Sequence, residues 1–235
     1  GNAEFPMKGF PTSLSTDVMA TVDNYERREL DGENVRYYIR ADRAMTFTDD
    51  HQELENVFIE VFDQSTGSSD KINAQKAVYV PGENKSFTAF LAGNVRIETR
   101  DQLIATTANL TYDHASETAR AEEAVDFERA NIRGSSFGAV IDAANKRLEL
   151  LNKVRIETFE GTDGDELSVG PATMSADHAT YLQTEQKISL DGSVHIETRQ
   201  VTASGNTSVI KANAAAAYLV PQGDSAFKVE KVELF

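Results

Sequence analysis

Three glutamates of this 235-residue chain, Glu98, Glu157 and Glu197, recur at the same place in a repeated segment, and aligned carboxylates are what a glycosidase uses as acid and base. Each follows a Val-x-Ile pair and alternates with Arg96, Arg155 or His195, which assigns all three to the polar face of a strand. There they are expected to form a solvated ladder of opposite charges across neighbouring strands rather than a cleft. Histidine offers less. His51, His114, His178 and His195 are the full set, and none stands at metal-binding spacing from another histidine or a matching carboxylate. His51 and His114 fall in expected turns and His195 takes the outward slot of Arg96 and Arg155, so all four histidines are expected at the solvated surface. With no cysteine, no G-x-S-x-G and no phosphate-binding glycine loop, the residues predict no enzyme, no cofactor and no metal site.

The elements that carry these residues are repeats. One half of the unit is an Ala-x-x-Ala segment: ADRAMTF from Ala41, AQKAVYV from Ala74, ATTANLTY from Ala105, ADHATYL from Ala176 and ANAAAAYL from Ala212. The other half is a Val-x-Ile or Val-x-Phe segment whose valines stand at 57, 95, 125, 154, 194 and 232. Period-two alternation, β-branched residues and intervening Asn, Asp, Gly and Pro turns predict about 13 to 16 strands with little or no helix. Hairpin-sized loops favour antiparallel pairing, with a parallel β-helix as the alternative. The net charge of −15 with no basic run excludes a nucleic-acid partner.

Alternation places Phe87, Leu91, Val95, Ile97, Val125, Phe127, Leu150, Val154, Ile156, Leu190, Val194 and Ile196 on one apolar face. Such a face packs against a second sheet or shields something else. An ordinary packed core, in a structural or adhesive repeat protein, is the plainer of the two readings, and a carbohydrate-active β-helix is a third.

The stretch from Asp23 to Asp63, with Leu54, Glu55, Asn56 and Val57, followed by Ala74, Ala77 and then Gly93, Asn94 and Val95, resembles the periplasmic LptC-type protein of lipopolysaccharide export. The likeness runs from about Thr16 to Phe159. Residues from Met174 to Phe235 look like added units of the related LptA or OstA kind. The resemblance implies an antiparallel, slightly open β-jellyroll, a folded "β-taco", whose trough shields acyl chains between two membranes. The twelve apolar residues then become candidate trough residues. It also implies as partners lipopolysaccharide or a similar glycolipid, an inner-membrane transporter complex, and other jellyroll bridge proteins that dock by strand addition. The expected location is the periplasm, with an N-terminal inner-membrane anchor.

The expected organisation is a linker over residues 1–15, an LptC-like jellyroll over 16–160, and an OstA-like continuation or second module over 161–235, with GTDGDE from Gly161 to Glu166 as the break. The start at Gly1 rather than Met suggests that an export signal or anchor has been trimmed away. At the other end KVEKVELF reads as an edge strand for a partner, with Lys228, Val229, Val232 and Leu234 as its contact residues and Lys228 and Lys231 discouraging indiscriminate pairing.

Overall fold

The computed structural model describes residues 10–11, 13–159, 171–199, 207–222 and 226–235. Among them are fifteen strands: β1 Val18–Asp31, β2 Asn34–Phe47, β3 Gln52–Phe62, β4 Ser69–Pro81, β5 Phe87–Glu98, β6 Ile104–Asp113, β7 Thr118–Arg129 and β8 Ile132–Asp142. There follow β9 Arg147–Leu150, β10 Val154–Thr158, β11 Ala172–Ala176, β12 His178–Leu182, β13 Lys187–Arg199, β14 Thr207–Gln222 and β15 Ala226–Leu234. The described residues are all-β, 75% strand and 3% helix, in one antiparallel sheet as the alternation predicts. The helical residues are two single turns, Glu83–Lys85 and Gln183–Glu185. The break expected at Gly161 to Glu166 and most of the expected linker lie outside the described residues.

Packing divides the chain into an N-terminal unit, Gly1–Glu123, and a C-terminal unit, Ala124–Phe235. In the first, strands pair in chain order from β1 to β6. In the second, β8 pairs with both β9 and β10, β13 with β11, β12 and β14, and β14 with β15.

The repeat encodes a bend. The residue just before each of Val57, Val95, Val154 and Val194 is left-handed, with φ of 48° at Asn56, 48° at Asn94, 49° at Lys153 and 50° at Ser193. At Asn94 and Ser193 the register slips by one residue, so β5 and β13 each carry a bulge, which bends a strand. Gly93 and Gly192 supply the preceding left-handed residue, and a Cβ there would stand 2.4 Å from Gln75 Oε1 and 2.5 Å from Asp177 Oδ2 respectively. Those two residues are the first x of Ala-x-x-Ala. In Ala41–Ala44 and Ala74–Ala77 the two alanines are buried and the two residues between them exposed, the pattern of a corner whose inside admits only a methyl group. Side chains tie adjacent corners: Asn56 donates to Asp42 at 2.7 Å and Ser193 to Asp177 at 3.0 Å.

These bends fold the sheet of the N-terminal unit back on itself. Tyr79 pairs with Gln52, which pairs with Thr46, nine residues along β2 from Tyr37. That is roughly 30 Å of straight strand. Nevertheless the Tyr37 and Tyr79 hydroxyls stand 3.3 Å apart. The core lies between the two arms.

Candidate functional site

All twelve candidate trough residues are buried. In the N-terminal unit Phe87, Leu91, Val95 and Ile97 are at most 5% exposed, and in the C-terminal unit Val125, Phe127, Leu150, Val154, Ile156, Leu190, Val194 and Ile196 are at most 7% exposed. Each set therefore faces the inside of its own unit. Phe127 packs so tightly on Gly134 that an added Cβ would meet its ring at 2.3 Å, which is why β8 has glycine there.

The polar parity of the repeat faces outward and the register sets Glu98 opposite Lys71 and Glu157 opposite Arg133, but the ion pairs that the two repeat arginines form run along the strand. Arg96 pairs with Glu98 at 3.0 Å and Arg155 with Glu157 at 2.5 Å, each two residues along its own strand. The direct cross-strand neighbours of Arg96 are Asn73 and Thr106, and those of Arg155 are Ser135 and Ser175. No acid is opposite, so each arginine turns along the strand. Glu197 is exposed, and among the described residues there is no cluster of three metal-binding side chains.

Two histidines depart from the expectation of solvent exposure. His51 is 1% exposed and stacks on Phe47 at 4.2 Å, its Nδ1 bonded to Asp49. Asp49 also accepts the Ser15 amide at 2.8 Å, and these bonds, the Ser15 one foremost, bring its carboxyl down to about 2. His114 is 8% exposed, stacked on Phe87 at 4.9 Å and edge-on to Tyr37 at 5.1 Å. Among the described residues its Nδ1 has no hydrogen-bond partner, and burial above all lowers its pKa. Both histidines do sit in or beside turns. The turns fold inward because the strands bend, which a count of local residue types does not reveal.

Where the arms of the N-terminal unit meet, Tyr37 enters from β2, completely buried, between Tyr79, Phe87 and His114. Its hydroxyl also donates to the Lys85 carbonyl at 3.4 Å, and Arg36 donates to the Asn84 carbonyl at 3.5 Å. Asn84 and Lys85 are both left-handed, with φ of 51° and 61°. Lys85 Nζ bonds Glu29 at 2.9 Å and so holds that carboxyl below its usual range. Farther along, Arg100 binds Asp70 at 2.6 Å and Asp63 at 2.5 Å on its own side and reaches Glu117 at 3.5 Å on the other.

In the C-terminal unit a side-chain amide holds the start of β15. Asn131 donates to the Phe227 carbonyl at 2.6 Å and to the Phe159 carbonyl at 2.7 Å, and accepts the Phe227 amide at 2.7 Å. Arg129 lies 5.0 Å over the Phe227 ring and donates to the Tyr181 hydroxyl at 2.6 Å. Phe227 stands opposite Pro221, which has no N–H, and gives its own N–H to Asn131. Asn131 therefore sits on the side of β15 that faces away from β14.

Among the described residues β15 pairs only with β14 and is an edge strand. Of its expected contact residues, Val229 is buried, Val232 is half-buried and Leu234 is 52% exposed, while the Lys228 side chain lies outside the described residues. Lys231 is engaged with Glu233 and lies 5.6 Å over the Tyr218 ring.

A bent antiparallel sheet with an apolar inside is the architecture of a β-jellyroll. The family model of lipopolysaccharide-assembly, LptC-related proteins matches residues 8–160, and the chain belongs to that family. Its role is therefore in lipopolysaccharide transport, in a family that is a component of the transport bridge and is in general periplasmic and anchored to the inner membrane. No curated protein matches the chain. Among the described residues no helix is long and apolar enough to cross a membrane.

Proposed function

We propose that the chain is a non-enzymatic periplasmic carrier that shields lipopolysaccharide acyl chains against its inward face and forms part of a bridge from inner to outer membrane. The observation that carries this reading is the inward apolar row of each unit, repeated through the bulges, in a member of a lipopolysaccharide-assembly family. An acyl chain gains about 0.8 kcal/mol per buried methylene, so a dozen carbons supply on the order of 10 kcal/mol before ordering costs. The repulsion between a chain of net charge −15 and lipid phosphates is screened beyond about 8 Å at physiological salt. Acyl burial therefore outweighs it while the phosphates stay outside. Residues 161–235 extend the same construction as OstA-like units, and β15 receives a second jellyroll by strand addition. A transporter in the inner membrane supplies the directional force.

A photo-crosslinking residue at Ile97 or Ile156 is expected to capture lipopolysaccharide, and one at Arg96 is not. Equal labelling at all three positions overturns the reading. Removal of Ala226–Phe235 is expected to abolish capture of the partner jellyroll in a pull-down. The rival reading, a permanently filled core, draws on the same burial and predicts no label at either isoleucine.

A further inference from the structure

Phe87, Leu91, Val95 and Ile97 are at most 5% exposed, so an acyl chain reaches them only when the two arms of the N-terminal unit part. Two kinds of opening exist. Separation between neighbouring strands anywhere from β1 to β6 breaks a continuous backbone ladder. Among the described residues, separation where the arms meet breaks only contacts that involve side chains, and most of those hydrogen bonds are long: Tyr37 to Tyr79 at 3.3 Å, Tyr37 to the Lys85 carbonyl at 3.4 Å, Arg36 to the Asn84 carbonyl at 3.5 Å and Lys85 Nζ to the Leu30 carbonyl at 3.3 Å. The shorter contacts are Tyr25 to Gln52 at 3.0 Å, a single side-chain hydrogen bond, and Lys85 to Glu29 at 2.9 Å, whose lysine is 62% exposed to water that competes for it.

We propose that this seam is the lipid gate of the N-terminal unit, with Tyr37 as its bolt and the Glu29–Lys85 pair as its outer latch. The turn that carries Asn84 and Lys85 is built for this task. Its two successive left-handed residues present both carbonyls to β2, while the Lys85 side chain reaches β1. One short turn therefore holds two strands of the opposite arm, and its displacement frees both. The aromatic surfaces uncovered, Tyr37 on one arm and Tyr79 and Phe87 on the other, are apolar and suit an entering acyl chain. The ionic latch lies at the rim, where it meets the aqueous side of an amphipathic lipid.

The gate rests on the lipid-shielding reading, and one experiment separates the two. The chain has no cysteine, so Glu29→Cys with Lys85→Cys gives a unique pair that a short, reducible thiol-specific linker can join. With a photo-crosslinking residue at Ile97 and lipopolysaccharide micelles as the probe, the joined protein is expected to label at least tenfold less than the same protein after reduction. Lys85→Ala is expected to label severalfold more than the unaltered protein, and one that labels no better overturns the pair as latch. Equal labelling before and after reduction overturns the gate and leaves Ile97 lipid-facing. No label in the joined, reduced or Lys85→Ala forms overturns the lipid reading, and the gate with it.

Discussion

The two units use the same bulged repeat and close differently. In the N-terminal unit a buried tyrosine meets two aromatic rings and a histidine, and ion pairs flank it. In the C-terminal unit an asparagine amide imitates a strand and holds the beginning of β15, with Arg129 over the Phe227 ring. The bend is set by the left-handed residue before Val57 and Val95 in one unit and before Val154 and Val194 in the other. The strength and chemistry of closure are set at the strand ends, where the repeat does not reach. One sequence device thus gives a fold-back, and the turns decide how readily it opens.

The sharpest way to break the contrast is to remove each closure in turn. Tyr37→Ala takes a fully buried ring from between the arms and is expected to destabilise the N-terminal unit by about 3–5 kcal/mol in chemical denaturation, the range for a buried aromatic. Tyr37→Phe keeps the ring and loses only two long hydrogen bonds, so about 1 kcal/mol is expected. If the two variants lose equal stability, the seam is held by its hydroxyl and not by packing.

Asn131→Ala is expected to have a smaller effect, about 1–3 kcal/mol on the C-terminal unit, from the backbone groups of Phe227 and Phe159 left without the amide. It also uncovers the outward N–H and carbonyl at the start of β15, and unpaired edges recruit other strands. Sedimentation velocity is therefore expected to show more self-association than in the unaltered chain. An unchanged distribution places control of the edge elsewhere along β15.

Much of the architecture was legible because period-two alternation and repetition survive without tertiary context. The strand-rich composition, the antiparallel pairing and the inward parity of the apolar residues follow from them. The bulge was written in the same letters, Gly93-Asn94-Val95 and Gly192-Ser193-Val194, but a left-handed residue within a strand reads locally as a turn or as nothing. Its consequence, Tyr37 meeting Tyr79, joins residues whose rows lie roughly 30 Å apart along the strand, and no local pattern reports that. The histidines were misplaced for the same reason. His51 and His114 are polar residues beside turns, and only the fold-back places Phe47, Phe87 and Tyr37 against them. Asn131 had no signal beyond its place in a loop.

Acid sharpens the comparison further. His114 is held in its neutral form by burial, with Arg36 acting in the same direction and Asp113 against it. A base whose folded pKa is lowered takes up a proton on unfolding, so the fold is favoured fully above the unperturbed value near 6.5. Stability is then lost as pH falls through that value, and the loss levels off only below the lowered folded pKa. Asp63, held far below the carboxylate range by Ser65 foremost and also by Thr66 and Arg100, adds a loss of the same sign below about pH 4. In the C-terminal unit Glu233, held down by Lys231 and Tyr218, contributes only in that lower window. Hydrogen-exchange protection factors, which remove the slowing of intrinsic exchange in acid, are thus expected to fall between pH 7 and 5 in β2, β4 and β5 before β13 and β14. His114→Phe is expected to abolish that difference, and its persistence would assign it to another group.

The smallest effect concerns the most conspicuous letters. Arg96 and Arg155 occupy the same slot of the repeat in different units, and each pairs with a glutamate two residues along its own strand, with side chains 42% and 59% exposed. Such pairs exchange good solvation for a modest attraction and hold two long side chains in place to do so. Neither is tied to a neighbouring strand, since Asn73, Thr106, Ser135 and Ser175 stand opposite them. Arg96→Ala and Arg155→Ala are therefore expected to change stability by less than about 0.5 kcal/mol, and equally in the two units. A loss well above that at Arg96 alone would mean that the outer face of the N-terminal unit, and not only its seam, helps to hold the arms together.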